Sequence, residues 1–304
     1  MLSREIERYV SLHRAMGFKF RTQESLLRNY ARFAGAKGDR FISSARAIEW
    51  AAQAPSPPQR HNRIATLRRC ALNLRAEDAR NEVPPADIFG TQWFKRRKPH
   101  LYTAEQITQL LQVAGQLGPK NSIRPLTYAT IFGLLAATGM RISEALQLRL
   151  ADRTPDGLLI HATKFKKERL VPLHPSTERA LDRYLRERLR ISTSDPSFFI
   201  ATSGRAVPYA TVVTVFLSIA RRVGLREGPG KRGPRLHDMR HTFAVRSLER
   251  CPTDRESVAR HIVGLSTYLG HAHVSDTYWY LQANPTLLRE IAFVGEALHG
   301  GELS

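Results

Sequence analysis

The stretch 158-LLIHATKFKKERLVPL-173 decides the fold class. Apolar runs flank a polar, lysine-rich turn, which is the pattern of a β-hairpin. It is the one clear hairpin in a chain that otherwise reads as helices. "FFIATS" (198–203) offers a second short strand, and helical spacing predicts helices over 104–116, 123–138, 143–150, 176–190, 208–223, 238–250 and 255–268. The expected fold is mainly α with a small antiparallel β-sheet.

Upstream of residue 101 only helices are expected. Leu2, Ile6, Tyr9, Val10 and His13 follow helical spacing up to Gly17, and Leu26, Leu27, Tyr30 and Phe33 share a face of a second helix starting near Thr22. "SSARAIEWAAQ" (43–53) is a third, ending before "PSPP", and Ile64, Leu67, Ala71 and Leu74 mark a fourth. Between the two regions lies "WFKRRKPHLYTAEQ" (93–106), where four basic residues, Lys95, Arg96, Arg97 and Lys98, precede a proline that discourages helix. Thr103 and Gln106 form a capping box for the helix that follows. The expected organisation is a helical domain over 1–92, a basic linker over 93–102, and a second domain over 103–304 ending in a helix at about 286–298. Leu287, Ile291, Val294 and Leu298 form an apolar stripe on that last helix.

Charge narrows the function. Forty-seven Lys and Arg against 27 Asp and Glu give a net +20. The first hundred residues hold +11 of that excess. A field of this size attracts polyanions, so double-stranded nucleic acid is the expected partner, with affinity that falls as salt rises. No apolar stretch approaches the roughly 18 residues of a membrane span. The first residues, "MLSREIERYV", lack the apolar core of a signal peptide. Cys70 and Cys251 are far apart and form no CxxC, so a cytoplasmic chain without a disulfide framework or zinc finger is expected.

Four stretches carry candidate chemistry. In "ATGMRISEALQL" (137–148) Gly139 ends one helix and Arg141 begins the next; Ser143 can cap it, and Glu144 is three residues from Arg141 on one helical face. An arginine held this way is poised for two phosphate oxygens. Lys164, Lys166 and Lys167 crowd the hairpin turn, where a lysine can protonate a leaving oxygen. In "RLHDMRHTF" (235–243) His237 and Arg240 share a helical face, while His237 and His241 have the spacing of a metal pair. Arg240 between them, with no acidic pair nearby, argues for an anion instead of a metal. "YLGHAHVSDTYWYL" (268–281) adds His271, His273, Tyr278 and Tyr280. Together these residues can neutralise a phosphodiester in its transition state, and a tyrosine can attack phosphorus to give a covalent intermediate.

The order Arg141, Lys164, His237-x-x-Arg240, His271, Tyr280 in these local contexts resembles the tyrosine recombinases of the phage-integrase family, over about residues 101–298 and more loosely across the helical N-terminal domain. The resemblance implies a DNA-binding domain joined to an integrase-type catalytic domain. Arg141 and Arg240 would clamp the scissile phosphate, with Glu144 in support. Lys164 would be general acid, with Lys166 in reserve because this hairpin lacks the glycines often found beside the family's lysine. His237 would remove or orient the nucleophile's proton, His271 would hydrogen-bond the phosphate, and Tyr280 would attack, leaving a 3′-phosphotyrosyl link. No metal, ATP or other cofactor is implied, and "GLREGPGK" (224–231) lacks the spacing of a phosphate loop. Four protomers, or related recombinases, would act on duplex DNA.

Choosing between tyrosines requires a break in the helix. Nine residues of α-helix turn about 900° and would set Tyr280 opposite His271, leaving Tyr278 on its face. Ser275 or Asp276 can cap a new helix and reset the direction; the family spacing then selects Tyr280, leaving Tyr278 and Trp279 to packing. The segment 249–271 resembles recombinases of transposable elements more than chromosome-dimer resolvases. A type IB topoisomerase, a DNA-binding accessory protein without catalysis and a metal-dependent nuclease are the other readings of the same residues.

Overall fold

The computed structural model describes residues 1–90, 97–161, 168–251, 255–271 and 273–282. The chain divides into two compact units, Met1–Arg97 and Lys98–Ser304.

The first unit contains α1 (Leu2–Ala15), α2 (Arg21–Gly35), α3 (Ser44–Ala52) and α4 (Pro57–Glu77). Ser43 caps α3 by accepting a hydrogen bond from the Arg46 amide, and Pro57 opens α4 where its missing N–H costs nothing. Ile6, Leu27, Tyr30, Trp50, Leu67 and Leu74 form one core. Within it Tyr30 and Trp50 meet edge to face at 5.3 Å, and each such fully buried side chain contributes roughly 1.5–3 kcal/mol. His13, expected on the apolar face, is half-buried and stacks on Phe20 at 4.5 Å.

In the second unit α5 (Ala104–Ala114) begins with the expected Thr103–Gln106 capping box. The long apolar α6 (Arg124–Thr138) is central to a core shared with α8 (Pro175–Leu189) and α9 (Tyr209–Arg222). Between them come α7 (Ile142–Gln147), a 3-10 turn at Leu150–Asp152, and a three-stranded antiparallel sheet in the order β1 (Arg153–Thr154), β2 (Gly157–Ile160), β3 (Arg169–Val171). The register pairs Leu158 with Val171 and Ile160 with Arg169, so Leu158, Ile160 and Val171 face the core. The last helices among the described residues are α10 (Asp238–Glu249), α11 (Arg255–Leu269) and α12 (Ser275–Gln282). They build a smaller apolar cluster containing Val245, Leu248, Ile262, Leu265, Leu269 and Tyr280. Among the described residues, no helix is long and apolar enough to cross a membrane.

Two local expectations are corrected. "FFIATS" is not a strand of the sheet. Phe198, Phe199 and Ile200 are buried, and their backbone is satisfied piecemeal: the Phe198 amide donates to Leu148 O, and the Ile200 amide to the Tyr184 hydroxyl. Only isolated bridges form there. Ser143 does not cap α7. The helix starts two residues earlier, with Arg141 at the N-cap, and the Glu144 carboxylate accepts from the Arg141 amide at 2.9 Å, leaving Ser143 exposed within the first turn. The turn with Lys164, Lys166 and Lys167, the linker residues Lys95 and Arg96, and the expected helix at 286–298 lie outside the described residues; Arg97 and Lys98 are exposed.

Candidate active site

Two glycines set the frame. Gly139 ends α6 at φ 61°, and its carbonyl accepts a hydrogen bond from Arg240 Nη1 at 2.9 Å. Gly270 ends α11 at φ 65°; its amide donates to Thr267 O and the His271 amide donates to Ser266 O. This is a Schellman closure, and it leaves the last carbonyls of α11 to find other donors. Three arginines supply them in succession: Arg169 Nε donates to Tyr268 O at 2.8 Å, Arg240 Nη2 to Leu269 O at 2.8 Å, and Arg141 Nη2 to Gly270 O at 3.2 Å. The negative end of the helix dipole favours these cations. Main chain alone thus gathers residues from α10, the α7 start and β3.

The carboxylate of Glu144 ties two of them together. It receives Arg141 Nη1 at 2.7 Å, and Arg169 through Nη1 at 3.2 Å and Nη2 at 2.7 Å. Burial alone would raise its pKa, but the hydrogen bonds and charge of Arg169, with those of Arg141, hold it down to about 2. Glu144 is therefore ionised at any physiological pH.

Arg240 is 2 % exposed. Burial, and then repulsion from Arg141, lower its pKa to about 10, which still leaves it cationic at neutral pH. Tyr280, only 3 % exposed, lies near enough that its hydroxyl works against this lowering. Around that ring stand two histidines. The His271 ring stacks near it, with centroids 5.8 Å apart, and His241 lies at 5.3 Å. His271 Nδ1 is 2.8 Å from the buried Thr277 hydroxyl. Burial first, then Arg240 and Arg141, lower the His271 pKa to about 4; burial and the neighbouring His237 do the same for His241. His237, at the exposed entrance to α10, is also shifted down, by partial desolvation and by Arg240 and Arg235. All three are neutral at pH 7.

The turn before α10 is fixed from two sides. The buried Asp238 carboxylate accepts from the Arg235 amide and guanidinium, and the Tyr102 hydroxyl donates to Arg235 O. The Tyr102 amide donates to Thr242 Oγ1 on α10 itself.

The described residues thus bring together Arg141, Glu144, His237, Arg240, His271 and Tyr280. Lys164 cannot be placed, and neither can the Tyr278 side chain, which also lies outside the described residues. Sequence reasoning missed Arg169, which pairs with Ile160 on β3. It also missed His161, which sits at the foot of the turn between Glu168 (2.7 Å) and Asp152 (3.0 Å), partners that raise its pKa, Glu168 foremost.

An arginine cluster around a tyrosine hydroxyl suits reaction at a phosphodiester, and similarity to known proteins agrees with that class. Residues 101–286 match the phage integrase family, and the chain belongs to this family: it is a tyrosine recombinase. The Sinorhizobium fredii protein y4rB, named as an integrase/recombinase, is 37% identical over 94% of both chains. The tyrosine recombinase XerD of Mycobacterium tuberculosis is 32% identical over 64% of this chain and 60% of its own. Among solved structures, XerH site-specific recombinase in a post-cleavage complex with palindromic difH substrate shares the fold, with a TM-score of 0.67 and 21% identity over 91% of this chain and 79% of that one.

Proposed function

We propose that this recombinase cleaves and rejoins duplex DNA through a 3′-phosphotyrosyl intermediate, serving integration, excision or transposition of a mobile element. The observation that carries the reading is that Arg240 and Arg141 hold consecutive carbonyls, Leu269 O and Gly270 O, beside His271, whose ring stacks near that of Tyr280. Once Tyr280 is turned outward, a phosphate between the two arginines would meet guanidinium donors and the phenolic oxygen together.

In this scheme the Tyr280 oxygen attacks phosphorus and the 5′ oxygen leaves. Lys164 gives that oxygen its proton, and neutral His237 accepts or orients the proton of the phenol. His271 donates to a non-bridging oxygen, with its ring steadied by Thr277. Arg141 and Arg240 hold the charge that accumulates on phosphorus's oxygens. Religation reverses these steps, because the phosphotyrosyl bond keeps the energy of the broken diester, so neither ATP nor metal enters. Since Tyr280 is packed in an apolar cluster, DNA binding must turn it outward before attack.

The net +20 supports duplex DNA as partner, as does the complex of XerH with difH substrate. The mobile-element role rests on the likeness to y4rB, named as an integrase/recombinase, and on the resemblance of 249–271. Basic residues 95–98 would follow the phosphate backbone, with Lys166 and Lys167 beside the cleaved strand. The apolar stripe Leu287, Ile291, Val294 and Leu298 would join protomers in a tetramer.

The test is a suicide substrate: duplex candidate element ends, nicked so that the released fragment diffuses away, incubated in EDTA. A covalent protein–DNA band is expected; its absence on every candidate end, or its dependence on magnesium, would refute the proposal.

A further inference from the structure

Arg169 has no role in the scheme above, yet it is the most heavily bonded cation of the site. Three of its guanidinium nitrogens are engaged: one on Tyr268 O and two on the Glu144 carboxylate. Its side chain is 10% exposed, against 31% for Arg141 on the other side of the same carboxylate. It lies flat against the end of α11, so close that a Cβ on Gly270 would sit 2.8 Å from its Nη1. Arg169 is therefore turned inward and Arg141 outward, with one negative charge between them.

The charges of this trio decide what Arg141 can do. With Arg169 present, Glu144, Arg141 and Arg169 sum to one positive charge. Without it, Arg141 and Glu144 form a neutral pair, and a phosphate arriving at Arg141 would meet a cation already cancelled by a carboxylate at 2.7 Å. Removing one member of a buried ion pair leaves the other uncompensated, and Arg141 is the remaining partner able to answer it. We propose that Arg169 is a positioning residue that neutralises Glu144 from the inside, so that Arg141 keeps its charge and its outward fork for the scissile phosphate. This rests on the phosphoryl-transfer reading of the site.

The same bonds could instead serve only to fasten β3 to α11. The two accounts give opposite answers to a charge-compensated pair of substitutions. Wild type, Arg169→Met, Arg169→Lys and the double variant Arg169→Met/Glu144→Gln are compared for single-turnover cleavage of the suicide substrate, for affinity towards intact duplex, and for urea unfolding. Arg169→Met should slow cleavage about a hundredfold, the scale of losing one transition-state donor, with duplex affinity within about threefold because the remaining backbone contacts are untouched. Arg169→Lys restores the charge and should stay within about tenfold of wild type. The double variant removes both charges, returns the trio to one positive charge, and should recover most of the lost rate.

If the double variant cleaves as slowly as Arg169→Met or more slowly, the role is mechanical and the proposal is overturned. Should Arg169→Met fail to fold, the lysine and double variants still decide the matter, because a merely mechanical fork would be lost in both. If the wild-type protein forms no covalent complex, the phosphoryl-transfer reading fails by itself. The Arg169 proposal is then judged by inorganic phosphate binding at Arg141, followed by its guanidinium NMR signals in the same four proteins: weakening by Arg169→Met with recovery in the double variant supports it, and no change overturns it.

Discussion

The rings of His271 and Tyr280 lie 5.8 Å apart and within 23° of parallel, although nine residues of continuous helix would set them on opposite sides. What allows this is that the two residues do not share one helix: α11 ends at Leu269 and α12 begins afresh at Ser275. If Tyr280 is the nucleophile, Tyr280→Phe removes covalent attachment to DNA while Tyr278→Phe retains it. A denaturing gel of suicide-substrate reactions reads both, and attachment surviving in the first variant would disprove the assignment.

Arg240 makes two carbonyl bonds from a buried position, close to Tyr280. Lysine keeps the charge but has neither the fork nor the reach to hold both carbonyls. Arg240→Lys is expected to slow cleavage by about two to three orders of magnitude, the range for losing a preorganised donor, and to weaken duplex binding far less. Equal losses in cleavage and binding would show that Arg240 contributes to ground-state affinity alone.

His241 and His271 are held neutral, with pKa values of about 4 in the folded protein against about 6.5 in an unfolded chain. The unfolded state therefore binds more protons between these values, so stability rises with pH across the window and falls on acidification from about 6.5 towards 4. Glu144, near 2 in the folded protein against about 4.3 in an unfolded chain, adds a loss of the same sign only below about pH 5. Urea midpoints measured from pH 7 to 4 should decline through this window, and His241→Asn should flatten the decline. An unchanged slope in that variant would assign the acid sensitivity to other groups.

Gly139 combines φ 61° with a neighbour that leaves no room: a Cβ would stand 2.6 Å from the Phe243 ring. Gly139→Ala is expected to cost about 2 kcal/mol or more, from the left-handed backbone and from the overlap. It should also displace the carbonyl that holds Arg240, so cleavage should fall further than the loss of folded protein explains. Urea unfolding together with cleavage per folded molecule tests both parts.

Much of the fold was legible because it is written in local signals. Helical periodicity located α3, α5, α6 and α8 to α11 to within a few residues, and the Thr103–Gln106 box marked the start of α5. The hairpin was legible from its apolar arms. What failed was tertiary: "FFIATS" has the composition of a strand, yet its amides pair with Leu148 O and the Tyr184 hydroxyl, which no local pattern announces. The arginine, histidine and tyrosine positions were readable as motif. Their anchoring was not, since it depends on carbonyls that every residue possesses, and Arg169 stayed hidden because its partner is 25 positions away.

The carbonyls of Tyr268, Leu269 and Gly270 act as a three-rung rack for cations. Because each rung is a peptide oxygen, replacing the side chains at 268 and 269 cannot delete it. Two rungs belong to α11 and the third to the left-handed residue that closes it, so the rack moves only if that helix end unwinds.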